Sequence, residues 1–322
     1  MVEVAGPEAG RFMDDIVIEC VPNFSEGADH KKVHAIVDAM RVDGVSLLDW
    51  SMDSDHNRSV VTIAGRPLAV VEAAVRAAGR AAELIDLTVQ RGVHPRIGAT
   101  DVIPFVPISG ISLAQCALLA RQAGLEIWSR HNIPIYFYEA AASRPDRALL
   151  EQVRQGQFEG LRELVSRDAA RRPDLGGPEL HPTAGASAVG ARKFLIAYNL
   201  YLDRPNVTVA RAIAKALRAS NGGLEGVKAM GVLVQGRAQI SLNITDFRLT
   251  PVGHAFAAVS RLAATHGTKV VDAELIGLLP EEAFERDSEW VRLISGFTPE
   301  QRILERRLKQ PLDWPVAGAS KA

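Results

Sequence analysis

Cysteine is almost missing from this chain, with Cys20 and Cys116 the two among 322 residues. Two isolated thiols build no disulfide framework and have no metal-ligand spacing, which excludes a cystine-stapled scaffold and points to a reducing, cytoplasmic setting. A surplus of either charge is missing too. Lys plus Arg number 37 against 38 Asp plus Glu, so no global field draws the protein to nucleic acid or an anionic membrane, and any anion recognition must be local. No uninterrupted apolar run reaches bilayer-spanning length. Met1 to Asp15 carries Glu3, Glu8, Asp14 and Asp15 without an apolar centre, so residues 1–15 read as a loose leader and not as a signal peptide. The chain also lacks a Gly-x-Ser-x-Gly elbow, a Cys/His pairing and basic-aromatic interleaving, which argues against a serine hydrolase and against nucleic-acid binding.

What is present is a globular composition, 47% hydrophobic, with sharply alternating element signals. Ile16 to Val21 reads as a strand, Asp29 to Arg41 as a helix, Val45 to Trp50 and Ser59 to Ala64 as strands, Arg66 to Ile85 as a helix and Asp86 to Val89 as a fourth strand. That order is a ferredoxin-like split unit. A βαβ extension follows, with a strand over Asp101 to Ile108, a helix over Ser112 to Asn132 and a strand over Pro134 to Glu139. Segments near Ala148 to Gln155 and Phe158 to Ala170 read as helical.

Arg171 to Gly185 holds three prolines and three glycines, which predicts a boundary. Afterwards the order recurs: strand Phe194 to Tyr201, helix Asn206 to Ser220 with Asn206 as N-cap, hairpin strands Val227 to Gln235 and Ala238 to Asp246, helix Pro251 to Thr265, strand Lys269 to Leu275. The expected organisation is a leader (1–15), two α+β subdomains (16–175 and 176–308) and a poorly ordered tail (309–322). Each expected sheet has helices on one side, so two bare faces would stack, with a ligand cleft between them.

The chemistry is expected in the stretch Arg91-Gly-Val-His94-Pro-Arg96-Ile-Gly98-Ala-Thr-Asp101. Pro95 restricts His94 to extended backbone, and a histidine on a stiff loop among guanidinium groups can carry a proton near neutral pH. The residues equally fit a connecting loop whose histidine caps a turn. Gly185 to Lys193 lacks the Lys-Ser/Thr ending of a phosphate loop and the spacing of a dinucleotide fingerprint. It offers backbone N–H groups and two cations, Arg192 and Lys193, to a carboxylate or an amide-rich ring, or else close packing of small residues. Asp53, Asp55 and His56 lack calcium-loop or zinc spacing and read as a solvated turn, so no metal is expected. Asn57 and Arg58 stand at a strand mouth, where Arg58 can grip a carboxylate bidentately or be solvated surface. His181 lies in the boundary loop, facing the expected cleft.

Several strings together resemble the glutamate formimidoyltransferase family. They are Glu19-Cys-Val-Pro-Asn-Phe-Ser-Glu-Gly27, Leu47-Leu-Asp49 with His56-Asn-Arg-Ser-Val60, Gly92-Val-His-Pro-Arg-Ile-Gly-Ala-Thr-Asp-Val102 with Pro104-Phe-Val-Pro107, and Gly185-Ala186 with Gly190-Ala-Arg-Lys-Phe-Leu-Ile-Ala-Tyr-Asn199. The resemblance spans about Ile16 to Leu279 and leaves no room for a fused cyclodeaminase domain. It implies two stacked α/β subdomains, a homodimer, and transfer of a formimidoyl group from N-formimino-L-glutamate to N5 of tetrahydrofolate, the co-substrate, in histidine degradation. It implies His94 as the catalytic acid/base, and a folate-binding loop formed by Gly176, Gly177, Pro178, Glu179, Leu180, His181, Pro182, Thr183, Ala184 and Gly185. Asn57 joins the expected site, and Arg58, Arg96, Arg192 and Lys193 are candidates for the substrate carboxylates. The chain departs from the family at Gln90, often a second histidine, at Arg91-Gly92-Val93, where Lys-Gly-Glu is usual, and near Ser51, commonly acidic. Formyl transfer between 5-formyltetrahydrofolate and glutamate fits the same residues. The rival from another class is a folate-binding protein without turnover.

Overall fold

The computed structural model describes residues 16–315, so the expected leader and residues 316–322 lie outside them. The chain divides into two compact units, one running to Arg192 and resumed from Leu312, the other Lys193–Pro311. The division falls after Arg192, not at the expected 175/176. Residues 176–185 are proline- and glycine-rich yet no linker, because the chain goes on to form a further strand of the first unit.

The first unit comprises β1 (Val17–Cys20), β2 (Asn23–Phe24), α1 (His30–Ala39), β3 (Val45–Asp53), β4 (Arg58–Gly65), α2 (Pro67–Leu84), β5 (Thr100–Ser109), α3 (Leu113–His131), β6 (Ile135–Glu139), α4 (Leu150–Val153), α5 (Gln157–Leu164) and β7 (Ser187–Ala191). Local chemistry starts each long helix. The Asp29 carboxylate accepts from the N–H groups of Lys31 and Lys32 before α1, Pro67 opens α2, and Ser112 with Gln115 forms a reciprocal capping box on α3. Val33, Ile36 and Val37 give α1 its buried stripe.

These strands form a seven-stranded mixed sheet in the order β1-β4-β2-β5-β7-β6, with β3 on β4 and β1 also on β5. Pairing is antiparallel up to β5 and parallel from β5 through β7 to β6. β7 therefore slots between β5 and β6, where its Ser-Ala-Val-Gly-Ala sequence is wholly buried. Small residues are needed there, since a Cβ on Gly190 would stand 2.5 Å from the Tyr138 ring. The strand expected over Asp86 to Val89 does not form. Asp86 instead accepts hydrogen bonds from the N–H and hydroxyl of Thr88, making a side-chain turn that competes with a ladder.

The second unit contains β8 (Ile196–Leu202), α6 (Val207–Leu217), β9 (Val227–Val234), β10 (Arg237–Ile244), α7 (Val252–Thr265), β11 (Val270–Ile276), α8 (Glu281–Arg286), α9 (Pro299–Arg302) and α10 (Leu304–Arg307). Its sheet runs β11-β8-β10-β9, antiparallel throughout. Asn206 caps α6 by accepting from the N–H groups of Thr208 and Val209. Gln235 and Gly236 both take positive φ, 50° and 74°, as a two-residue hairpin turn demands. Past Pro280, Trp290 is buried edge-on to Tyr198. The tail expected to be poorly ordered from 309 is structured as far as 315. Leu312 N–H donates to Leu47 O at 2.7 Å, because β3 is an edge strand with backbone groups to satisfy, and Leu312 and Trp314 pack on the first unit's core.

Candidate active site

The site is built where two loops of the first unit are laced together. One is the β3–β4 turn carrying His56 and Asn57, and the other is the segment from Asp86 to Ala99 that carries His94. Val93 N–H donates to Asp55 O at 3.2 Å, Asn57 Nδ2 donates to Arg91 O at 2.7 Å, and Gln90 Nε2 donates to Asn57 O at 3.1 Å. Asn57 can play this part because its short polar side chain tolerates a φ of 46°. Its Oδ1 also accepts from Gly27 N–H at 2.9 Å. The loops touch at Gly92, where a Cβ would meet His56 O at 2.3 Å. Glycine is required there for space.

His94 is half-buried, and its Nδ1 lies 2.8 Å from Pro95 O. A carbonyl only accepts, so Nδ1 holds the hydrogen and Nε2 keeps the lone pair. Near it lies a buried charge cluster. Asp101, fully buried, accepts from Arg58 Nη1 at 2.8 Å, from Arg154 Nη2 and from Ile97 N–H at 2.8 Å. Arg58 Nε is held by Asn23 Oδ1 at 3.0 Å. Burial, then the Arg58 and Arg154 guanidiniums, lower the His94 pKa to about 2, against the opposing influence of Asp101 and Pro95 O. His94 is thus a neutral imidazole at physiological pH. Burial alone would raise the Asp101 carboxyl, but Arg154, Arg58 and the Ile97 N–H hold it at about 2. Burial lowers Arg58 to about 10, still protonated at neutral pH. Two guanidiniums and one carboxylate leave one net positive charge, and Arg154 Nε is buried without a hydrogen-bond partner among the described residues. Such a centre suits an incoming carboxylate.

The loop from Gly176 to Gly185 runs beside the His94 loop within the same unit. Leu87 N–H donates to Thr183 O, Ala99 N–H to Ala184 O and Ala186 N–H to Ile97 O, all at 2.8–2.9 Å. Gly176, Gly177 and Gly185 have positive φ of 82°, 90° and 70°, and a Cβ on Gly185 would strike Ile97 O at 2.1 Å. Gly177, Pro178, Glu179 and Pro182 face solvent, whereas Leu180 and Ala184 are buried. His181 Nδ1 accepts from Ala184 N–H at 3.0 Å, so its hydrogen is on Nε2, and burial lowers its pKa.

The remaining expected residues are placed unequally. Arg96 is buried and engaged inside the chain: Nε donates to Gln90 Oε1 at 2.7 Å, and Nη1 and Nη2 grip Glu159 at 2.9 and 2.8 Å. It braces the His94 loop where a substrate contact was expected. Arg192 ends the first unit, its N–H bonded to Phe105 O at 3.1 Å. Lys193 opens the second, with Nζ 2.7 Å from Asp246. Among the described residues no group of three or more His, Cys, Asp or Glu side chains is placed to hold a metal, and no helix is long and apolar enough to cross a membrane. Sequence reasoning missed Arg154, which reaches Asp101 from 53 positions away, and it read His56 only as part of a solvated turn. The His56 and His94 ring centroids are 6.1 Å apart.

Residues 17–192 match the family model described as "Formiminotransferase domain, N-terminal subdomain", ending where the first compact unit ends, and residues 197–292 match "Formiminotransferase domain". The chain is 42% identical to a glutamate formimidoyltransferase of Streptococcus pyogenes over 296 residues, 91% of this chain and 98% of that protein. It is also 42% identical to one of Thermoplasma acidophilum over 299 residues, with the same coverage. A formimidoyltransferase-cyclodeaminase of Mus musculus is 38% identical over 276 residues, which cover 83% of this chain and 51% of the mouse protein. Both of the laced loops, the buried charge cluster and the glycine-rich loop fall inside the first matched stretch, and the chain belongs to the formiminotransferase family.

Proposed function

We infer that the protein is a glutamate formimidoyltransferase, moving the formimidoyl group of N-formimino-L-glutamate to N5 of tetrahydrofolate, with folate as a substrate and not a resident cofactor. The observation that carries the chemistry is His94. Its Nδ1–H is tied to a carbonyl and its Nε2 is left as a neutral acceptor, the state a general base needs before it takes a proton. N5 must lose a proton as it attacks the formimino carbon, and the glutamate nitrogen must gain one as it departs. Serving this exchange through a tetrahedral intermediate is the role proposed for His94. Arg58 and Arg154 supply a net positive centre for the donor's carboxylate, while Arg192 and Lys193 are candidates for the glutamate tail of folate. The loop from Gly176 to Gly185, with its solvent-facing Gly177 to Glu179 beside the His94 loop, is the proposed cradle for the pterin.

The same reading extends to the architecture. A ferredoxin-like order within each unit, a homodimer and a cytoplasmic home are proposed on the strand orders and on family membership. Purified protein with tetrahydrofolate and N-formimino-L-glutamate is expected to form 5-formiminotetrahydrofolate, followed by absorbance. His94→Ala should cut kcat by about a thousandfold while tetrahydrofolate still binds in calorimetry. A wild-type protein that binds tetrahydrofolate but makes no product would overturn the assignment.

A further inference from the structure

Among the described residues the ring of His56 stands beside that of His94, and the proposed function gives it no task. Its place is fixed as firmly as that of His94. Its backbone N–H is held by Asp53 Oδ1 at 2.7 Å, its carbonyl lies against Gly92, and the residues on either side, Asp55 and Asn57, bond across to Val93, Arg91 and Gln90. The two imidazoles are tilted by 59° with centroids 6.1 Å apart. His56 Nδ1 is buried and has no hydrogen-bond partner among the described residues. Nδ1 is closed off by the protein itself, so the proton that His56 offers a substrate would be carried on Nε2.

We propose that His56 is a second catalytic residue, the acid that protonates the departing glutamate nitrogen, with His94 the base that deprotonates the incoming N5. This rests on the formimidoyl-transfer reading and divides its proton traffic between two side chains. As the new carbon–N5 bond forms, the N5 proton passes to His94 Nε2. As the old carbon–nitrogen bond breaks, its electron pair stays on the glutamate nitrogen, which takes a proton from His56. His94 then carries one extra proton and His56 lacks one, and transfer from the first ring to the second restores both. The net change is one proton moved from N5 to glutamate, so no outside acid, base or redox partner is needed. The charged groups around the pair suit unequal roles. Arg58 and Arg154 lie near His94 and disfavour a lasting imidazolium there, which favours passing the proton on. The His56 turn also carries the carboxylates of Asp53 and Asp55, and Arg91 stands on the facing loop.

The test compares two donors. N-formimino-L-glutamate has an amine leaving group that must be protonated, whereas methyl thioformimidate releases a thiolate that need not be. His56→Gln is expected to lower kcat with formiminoglutamate by about a hundredfold with both KM values changed less than threefold. With methyl thioformimidate its rate should stay within twofold of wild type, while His94→Ala loses the reaction with both donors. His56→Ala, run in parallel, guards against a peculiarity of glutamine, and tetrahydrofolate binding by each variant reports an intact site. If His56→Gln keeps full kcat with formiminoglutamate, or loses equally with both donors, His56 is not the acid. A wild-type protein inactive with formiminoglutamate would instead sink the formimidoyl-transfer reading on which the proposal stands.

Discussion

Asp101 shows how one carboxylate can organise a site it does not enter. It is fully buried and accepts hydrogen bonds from two guanidiniums and from the Ile97 N–H that follows the His94-Pro95-Arg96 turn. Asp101→Asn would nearly conserve volume but leave Arg58 and Arg154 as neighbouring buried cations without a counter-ion. Breaking such a buried pair by removing one partner's charge typically costs about 3–5 kcal/mol. Urea unfolding of Asp101→Asn should therefore show a loss of about 3 kcal/mol, and a loss below about 1 kcal/mol would mean that solvent or rearrangement replaces the carboxylate. Arg58 and Asp101 were both visible in the sequence, Arg58 as a possible carboxylate ligand and Asp101 as the end of the histidine stretch. Their partnership was not, because nothing in a one-dimensional pattern brings one strand mouth onto the start of another strand 43 positions away. Arg154 was less legible still. It follows a four-residue helix with too few turns to show any periodicity.

At the scale of elements, legibility followed periodicity. The α1, α2, α3, α6 and α7 helices announce themselves through apolar spacing and caps, and their observed ends lie close to the expected ones. β7 was hidden for the opposite reason. A strand buried on both faces beneath Tyr138 needs small side chains, and Ser-Ala-Val-Gly-Ala, expected as a glycine-rich turn or as close packing of small residues, has little of the β-branched character that marks a strand. The expected strand at Asp86 to Val89 failed because an aspartate turn claims its backbone. The same competition leaves a stretch outside the strands of the sheet, and that is the stretch which carries His94. Its position then depends on lacing to the β3–β4 turn, with Gly92 as the closest point. Gly92→Ala puts a methyl group 2.3 Å from His56 O, against backbone that cannot rotate away. The loops must part, and misplacing a catalytic group by about 1 Å can cost about a hundredfold in rate. The expected outcome is a fall of about that size in kcat/KM with a thermal midpoint close to wild type, since Arg91 to Val93 face solvent. Unchanged kinetics would show that the lacing does not set the position of His94.

The whole molecule carries a pH signature that follows from three histidines. Burial first of all lowers His94, His131 and His181 below their ordinary value, so each takes up a proton less readily in the folded chain than in an unfolded one, where histidine titrates near 6.5. Below about pH 6.5 the unfolded state therefore binds more protons than the folded state, and stability falls as pH drops. Above that pH both states are neutral at these positions and the full stability is present. The carboxylates with lowered pKa do not confuse the window. Asp101, held at about 2, stays ionised in the folded chain at pH 5, and an unfolded aspartate near 3.9 is still mostly ionised there. Loss of stability between pH 7.5 and 5 should thus belong chiefly to the histidines. Thermal unfolding followed by circular dichroism is expected to show a midpoint that declines steadily across this range. His94→Gln should make the decline shallower, because glutamine binds no proton in either state. A wild-type midpoint that is level or rises toward pH 5 would mean that these imidazoles are protonated in the folded protein, and would take with it the neutral His94 base on which the proton-transfer chemistry depends.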